Sequence, residues 1–182
     1  MKATGIIRKI DDLGRIVLPK EIRRTLRLRE GTPLEIFTDR EGEVILKKYS
    51  PMDELNGVAK PYAESLAQVS GFMVCITDRD QVIAVAGGLS KDFIGKLISK
   101  ELEDLICERN VLVIKKNESG KIPIVTEDAR LYNSQVIYPI ICEADVIGTV
   151  CLLGKNSKLP VGETEKKLVA ATVGFLGKQM ES

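Results

Sequence analysis

Histidine is absent from the 182 residues, and with it go Ser-His-Asp and Cys-His nucleophile activation and the commonest imidazole-based metal sites. Most hydrolase chemistry is excluded on that ground. Cysteine is sparse: Cys75, Cys107, Cys142 and Cys151 stand apart, with no CxxC pair, each among apolar neighbours. Zinc ligation and a disulfide framework are therefore not indicated, and the four read as buried small hydrophobes. Long apolar runs are also missing. None approaches the roughly eighteen residues of a membrane span, and the first residues, MKATGIIRKIDD, lack the apolar core of a signal peptide. The expectation is a soluble, cytoplasmic protein, with no cofactor and no metal.

Charge is nearly balanced overall, at a formal +1, but it is unevenly placed. Residues 1–50 hold twelve Lys plus Arg against eight Asp plus Glu, and residues 51–182 hold fifteen against eighteen. The excess concentrates in RKIDDLGRIVLPKEIRRTLRLR (Arg8 to Arg29), with eight basic and three acidic residues in twenty-two positions. A solvated helix face mixes its signs, so a local surplus of this size asks for a polyanionic partner or a local network of acids. Double-stranded DNA is the expected partner, with association to the nucleoid. The alternative is a face salt-bridged to Asp11, Asp12 and Glu21.

The pattern from Thr4 to Tyr49 predicts strand, turn, strand, short helix and hairpin. TGIIRKI and RIVL flank DDLG, where Gly14 can take a positive φ. Pro19 lacks an N–H but suits a first helical turn, so PKEIRRTLRL reads as about two turns ended by Gly31. Ile22 and Leu26 share a face, which predicts their burial, and Arg23 and Arg27 share another. PLEIFTD and VILKKY form the last hairpin. Fifty residues with four short strands and one short helix bury little surface alone, so this segment is expected to complete its core with a second copy.

In the body, Met52, Leu55, Ala59, Tyr62, Leu66 and Val69 form a helical seam, interrupted at Gly57 and Pro61 so that the firm helix starts near Pro61. FMVCITD and QVIAVAG read as a hairpin, Ser90 to Arg109 as a helix capped by Ser90, and VLVIKK as a strand. Asn117 to Asn133 reads as a functional loop, and SQVIYPIIC and DVIGTVCLLG as a hairpin across Glu143 and Ala144. The chain closes in an amphipathic helix. In that last hairpin Cys151 faces roughly Ile137 while Cys142 lies beside the turn, too far apart for a disulfide. An antiparallel sheet with helices to one side fits this order.

TGIIRKIDDLGRIVLPKEIRRTLRL followed by LEIFTDREGEVILKKY closely resembles the swapped-hairpin DNA-binding domain of AbrB-type transition-state regulators. The pattern G-[IV]-x-R-K-[IV]-D-x-L-G-R-[IV]-V-[IL]-P is present at residues 5–19. The resemblance implies two chains with interleaved strands, and DNA contacts at Arg8, Arg15, Arg23 and Arg24, with Lys9 as a phosphate contact. It also implies readout of DNA shape as much as base edges. The body resembles a GAF sensor domain by element order alone, and the signature of cyclic-nucleotide GAF domains is absent.

The implied fold class is α+β, with a β-rich swapped-hairpin domain over 1–50, a linker helix over 51–70 and a GAF-like antiparallel sheet with helices over 71–182. Head and body together resemble a family of sporulation transcription factors, which implies a regulator able to activate or repress, assembled as a dimer of dimers. The body would sense an unidentified small molecule or hold the oligomer together. Two other readings stay open: a GAF-fold thiol reductase, in which Cys142 is the one modest candidate, and the antitoxin of a toxin–antitoxin pair.

Overall fold

The computed structural model describes residues 5–49, 56–88, 91–126, 128, 132–155 and 161–181. Thr4, Met52, Leu55 and Ser90, which the sequence pattern places in elements, lie outside them. The chain divides into two compact units, Met1–Tyr49 and Ser50–Ser182.

In the first unit the turn at Asp11 to Arg15 forms, with Gly14 at φ +76 and paired backbone bonds Asp11 N–H to Arg15 O and Gly14 N–H to Asp11 O. Among the described residues the predicted strands on either side of it are not formed. Ile7, Ile10, Ile16 and Val17 remain exposed, because within one chain no third strand or helix covers them, and an isolated hairpin is marginal in water. Helix α1, Lys20–Thr25, follows Pro19. It ends earlier than Gly31: Arg27 takes the left-handed conformation at φ +50, and Leu28 N–H bonds to Arg23 O, the closing bond of a Schellman turn. Leu26, expected inside, is exposed. Strands β1 (Leu34–Thr38) and β2 (Val44–Lys48) pair antiparallel, with Ile36 opposite Leu46.

The second unit is built on one five-stranded antiparallel sheet. Its strands are β3 (Met73–Asp78), β4 (Val82–Ala86), β5 (Leu112–Ile114), β6 (Ser134–Cys142) and β7 (Asp145–Gly154), in the order β4-β3-β7-β6-β5. Glu143 and Ala144 both take positive φ, 46 and 69, as a two-residue turn of type I′ requires. That turn sets Ile137 opposite Cys151 and Cys142 opposite Asp145, the register read from the sequence.

Both faces of the sheet are covered, so the helices do not lie to one side. Helices α2 (Asn56–Ser70) and α4 (Glu163–Gln179) pack on the face that carries Val74, Ile76, Val136, Ile140, Val150 and Leu152. Helix α3 (Lys100–Glu108) and a 3₁₀ turn at Lys91–Phe93 cover the other, which carries Cys75, Ile137, Cys151 and Leu153. Strand β3 is buried at all six positions. A strand apolar on both faces demands a layer on each side, so the one-sided arrangement fails for a reason already present in MVCITD.

Three local readings change. Helix α2 runs unbroken through Gly57 and Pro61, because Pro61 sits in the second turn, where only one intrahelical bond is lost. Its buried stripe is Ala59, Ala63, Leu66 and Ala67, and Val69 is exposed. The predicted helix from Ser90 is cut at Gly95 (φ +78). Gln81 bridges Leu97 and Ile98 bridges Val125, and the helix proper starts after Ser99, whose side chain accepts from Leu102 N–H. Cys107 is exposed, since Leu102, Leu105 and Ile106 form the buried stripe and Cys107 falls a further 100° round the helix.

Candidate nucleic-acid interface

Arg8, Lys9, Arg15, Arg23 and Arg24 are all exposed. They stand on two local frames, the Asp11–Arg15 turn and helix α1. Helical spacing puts Arg23 and Arg24 on adjoining solvent faces, while Ile22, expected to be buried, is half-buried.

The turn is held by one carboxylate. Asp11 accepts from Leu13 N–H at 3.0 Å and Arg15 N–H at 2.8 Å, and pairs with Arg15 Nε at 2.7 Å. The Arg15 N–H, then the Arg15 guanidinium, then the Leu13 N–H hold the Asp11 carboxyl below the usual carboxylate value of 3.8. The sign follows from that depression. Any support Asp11 gives the turn is complete above its unfolded value and is lost as pH falls through the lower folded value. The pair is solvent-exposed, so its net contribution is small.

The salt-bridged alternative therefore holds at one position, Arg15 with Asp11. It leaves Arg15 useful: a guanidinium has five N–H donors and Asp11 engages one, so the remaining fork can still meet a phosphate. Among the described residues, Arg23 and Arg24 form no ion pair with Asp12 or Glu21, and Arg8 donates only to Ile7 O, at 3.1 Å. Like charges so placed repel, and a phosphate backbone reverses the sign. Arg27, expected on one face with Arg23, departs from it: its left-handed backbone at φ +50 ends α1 and leaves its side chain half-buried.

The body offers little for catalysis. Cys75 and Cys151 lie opposite each other on β3 and β7. Burial, followed by the charges of Cys151 and Asp128, pushes the Cys75 thiol well up; burial pushes Cys151 up to about 12. Cys142 is raised by burial and by Glu143, Glu181 and Asp145. A thiol must be a thiolate to attack, so these three are poor nucleophiles at neutral pH. Among the described residues no group of three or more Cys, Asp or Glu is placed to hold a metal, and no helix is long and apolar enough to cross a membrane.

Residues 122–126, inside the expected loop, are stitched down as an extended strap. Gln135 accepts from Ile122 N–H at 2.9 Å and donates to Ile122 O at 2.6 Å. Ser99 N–H donates to Ile124 O and Ser99 Oγ to Pro123 O. Ile124 and Val125 are buried together with Phe93, Ile98, Leu102 and Tyr132. Side chains of the sheet, of α3 and of the strap thus share one buried apolar cluster.

Comparison with known proteins agrees with both halves. The family described as "Stage V sporulation protein T C-terminal, transcription factor" matches residues 54–181, and "Antidote-toxin recognition MazE, bacterial antitoxin" matches residues 7–54. Stage V sporulation protein T of Bacillus subtilis is 49% identical over 181 residues, covering 100% of this chain and 99% of the relative. Transition state regulatory protein AbrB of Bacillus subtilis is 59% identical over 51 residues, covering 28% of this chain and 52% of AbrB. The GAF domain of an Acinetobacter phosphoenolpyruvate-protein phosphotransferase superposes with a TM-score of 0.55 at 12% identity, over 71% of this chain and 87% of that domain, which establishes the fold alone. The basic head, the two-faced antiparallel body and a full-length match at this identity lead to one conclusion: the chain belongs to the stage V sporulation protein T family of transcription factors.

Proposed function

We propose that this protein is a DNA-binding regulator of sporulation genes, able to activate or repress, working in the cytoplasm on the nucleoid. The domain assignment is a DNA-binding head over 1–50, a linker helix over 51–70 and a GAF-like body over 71–182. The observation that carries the reading is the head itself. It displays Arg8, Lys9, Arg15, Arg23 and Arg24 to solvent while leaving Ile7, Ile10, Ile16 and Val17 uncovered. Those apolar side chains need a second chain, and a second chain doubles the basic field.

For the body, holding the oligomer is favoured over sensing. The described residues at and beneath the strap, Phe93, Ile98, Leu102, Ile124 and Val125, are apolar and buried, with no convergent set of polar groups. On the helical face Tyr62 stacks on Phe175 at 4.8 Å, and Phe175 and Val69 are exposed. A dimer of dimers follows if heads and bodies each use their own uncovered apolar face. An enzymatic role is disfavoured by the raised thiols, and an antitoxin role by the packed body, which is no toxin-wrapping tail.

The test is duplex binding by Arg8→Ala, Arg15→Ala and Arg23→Ala proteins of unchanged fold. If a head dimer neutralises on the order of eight phosphates, log affinity falls with log salt at a slope of about −7, and each phosphate left unneutralised reduces it by about 0.9 per chain. Wild-type affinity and slope in all three variants refute the interface.

A further inference from the structure

The body's net −3 over residues 51–182 hides a polarised surface. Strands β5 and β7 end, and β6 begins, at one edge of the sheet: Ile114 lies opposite Gln135, and Ser134 opposite Gly154. Helix α4 begins at that same edge, because its far end, Gly177, presses on Ile141 at the other end of β6 and its first residue, Glu163, feels the charge of Lys115. Six lysines gather there, Lys115, Lys116, Lys121, Lys155, Lys166 and Lys167, against Glu118, Glu163 and Glu165. The local balance is +3, whereas the other seven basic and twelve acidic side chains among the described residues of the body amount to −5.

The three carboxylates are already committed. Glu118 accepts Lys115 N–H and Glu165 accepts Gly162 N–H, each at 2.7 Å; Glu163 pairs with Lys166 at 2.7 Å. The Lys116, Lys155 and Lys167 side chains, all exposed, form no ion pair among the described residues. Lys115 and Gly154 flank Ser134, two strand spacings or about 10 Å apart, so the ammonium groups span a patch on which a duplex presents several charges at once.

We propose that this lysine pole is a second DNA-contacting surface, which grips phosphates of duplex flanking the site held by the head. The inference rests on the DNA-binding reading of the chain. Every basic residue of the pole is lysine, a point charge without the bidentate fork that reads base edges, so its contribution is independent of sequence. The function of the body thereby extends from holding the oligomer to lengthening the footprint.

The experiment measures the salt dependence of the full chain on two duplexes that share one operator, spanning about two and about six helical turns. The wild type is expected to give the steeper slope on the long duplex. Combined Lys116→Glu, Lys155→Glu and Lys167→Glu changes should lower that slope by about 0.9 for each phosphate no longer neutralised and leave the short duplex unaffected. The milder Lys→Gln set should give an intermediate result, and Arg109→Glu with Lys178→Glu, at the opposite end of β6 beside Asp145 and the C-terminal turn of α4, should give none. Equal wild-type slopes on the two duplexes, or a full slope retained by the triple variant, overturn the proposal. So does a triple variant that changes only the sedimentation of free protein, which would assign the pole to a contact between copies of this chain. Failure of the wild type on the short duplex would count against the head, and is read separately.

Discussion

Replacing Gly177 by alanine tests where α4 lies. Gly177 is buried on β6, and a Cβ there would overlap the Ile141 carbonyl oxygen and stand 3.3 Å from its carbon. Backbone cannot rotate out of the way as a side chain can, so α4 must shift outward by on the order of 1 Å. A gap of that size forfeits a quarter to a half of each affected van der Waals contact, here around Val169, Thr172 and Leu176, and overpacking of this kind costs about 1–3 kcal/mol. Alanine's helix preference returns about 0.8–1.0 kcal/mol. The net expectation is a loss of up to about 2 kcal/mol, or up to roughly 8 °C in Tm for a domain of this size. Gly174, three residues earlier on the exposed side of the same helix, has nothing within 4 Å of a would-be Cβ. Gly174→Ala carries only the propensity difference and should gain about 0.8–1.0 kcal/mol. The chain has no tryptophan, so urea unfolding is followed by far-UV circular dichroism at one fixed protein concentration, because association contributes to apparent stability. A Gly177→Ala protein that gains as much stability as Gly174→Ala refutes the close approach of α4 to β6.

Thiol titration of the native protein should find one fast-reacting group per chain, Cys107, with Cys75, Cys142 and Cys151 slow until the chain unfolds. Raising the pH should bring in Cys142 before Cys151, whose burial holds it near 12; several fast thiols at neutral pH refute the packing of the sheet. Gln135→Leu keeps the volume but leaves the Ile122 N–H and C=O without partners, at about 1–3 kcal/mol per group. Hydrogen exchange at Ile122 should accelerate and cleavage within residues 117–133 increase; wild-type exchange in the variant would mean that the strap does not depend on this side chain.

The parts legible in the sequence are those fixed by local chemistry. Pro19 and the Asp11–Gly14 turn, the Glu143–Ala144 hairpin and the strand pair it dictates, down to Cys151 against Ile137, follow from residues close in the chain. What escaped was set by distant partners. Nothing near Ser90 announces that Leu97 and Ile98 leave the helical path to bridge Gln81 and Val125. Nothing in NESGKIPIVTEDARLYN announces that its apolar stretch is pinned by Gln135 and Ser99 and is no open loop. Arginine in the left-handed region at position 27 carries no sequence signal, since glycine is the usual residue there. The lysine pole was scattered over four segments, and the global charge count concealed it.

The two units close their cores in opposite ways, and this bears on how DNA binding is regulated. The body covers both faces of its sheet within one chain, whereas the head exposes Ile7, Ile10, Ile16 and Val17 beside the arginines that would meet DNA. Burying an isoleucine or valine side chain contributes about 1.5–3 kcal/mol, so pairing two heads yields several kcal/mol that a lone head forgoes. That energy is available only when a second chain is present, and the body carries exposed apolar side chains of its own in Phe175 and Val69. Were bodies to associate through that face, tethering would raise the local concentration of heads far above that of the free protein, and a body mutation there would weaken DNA binding without altering the head. If the lysine pole proposed on that same body grips flanking phosphates as well, the affinity of such an assembly would depend on the length of duplex as well as on its sequence.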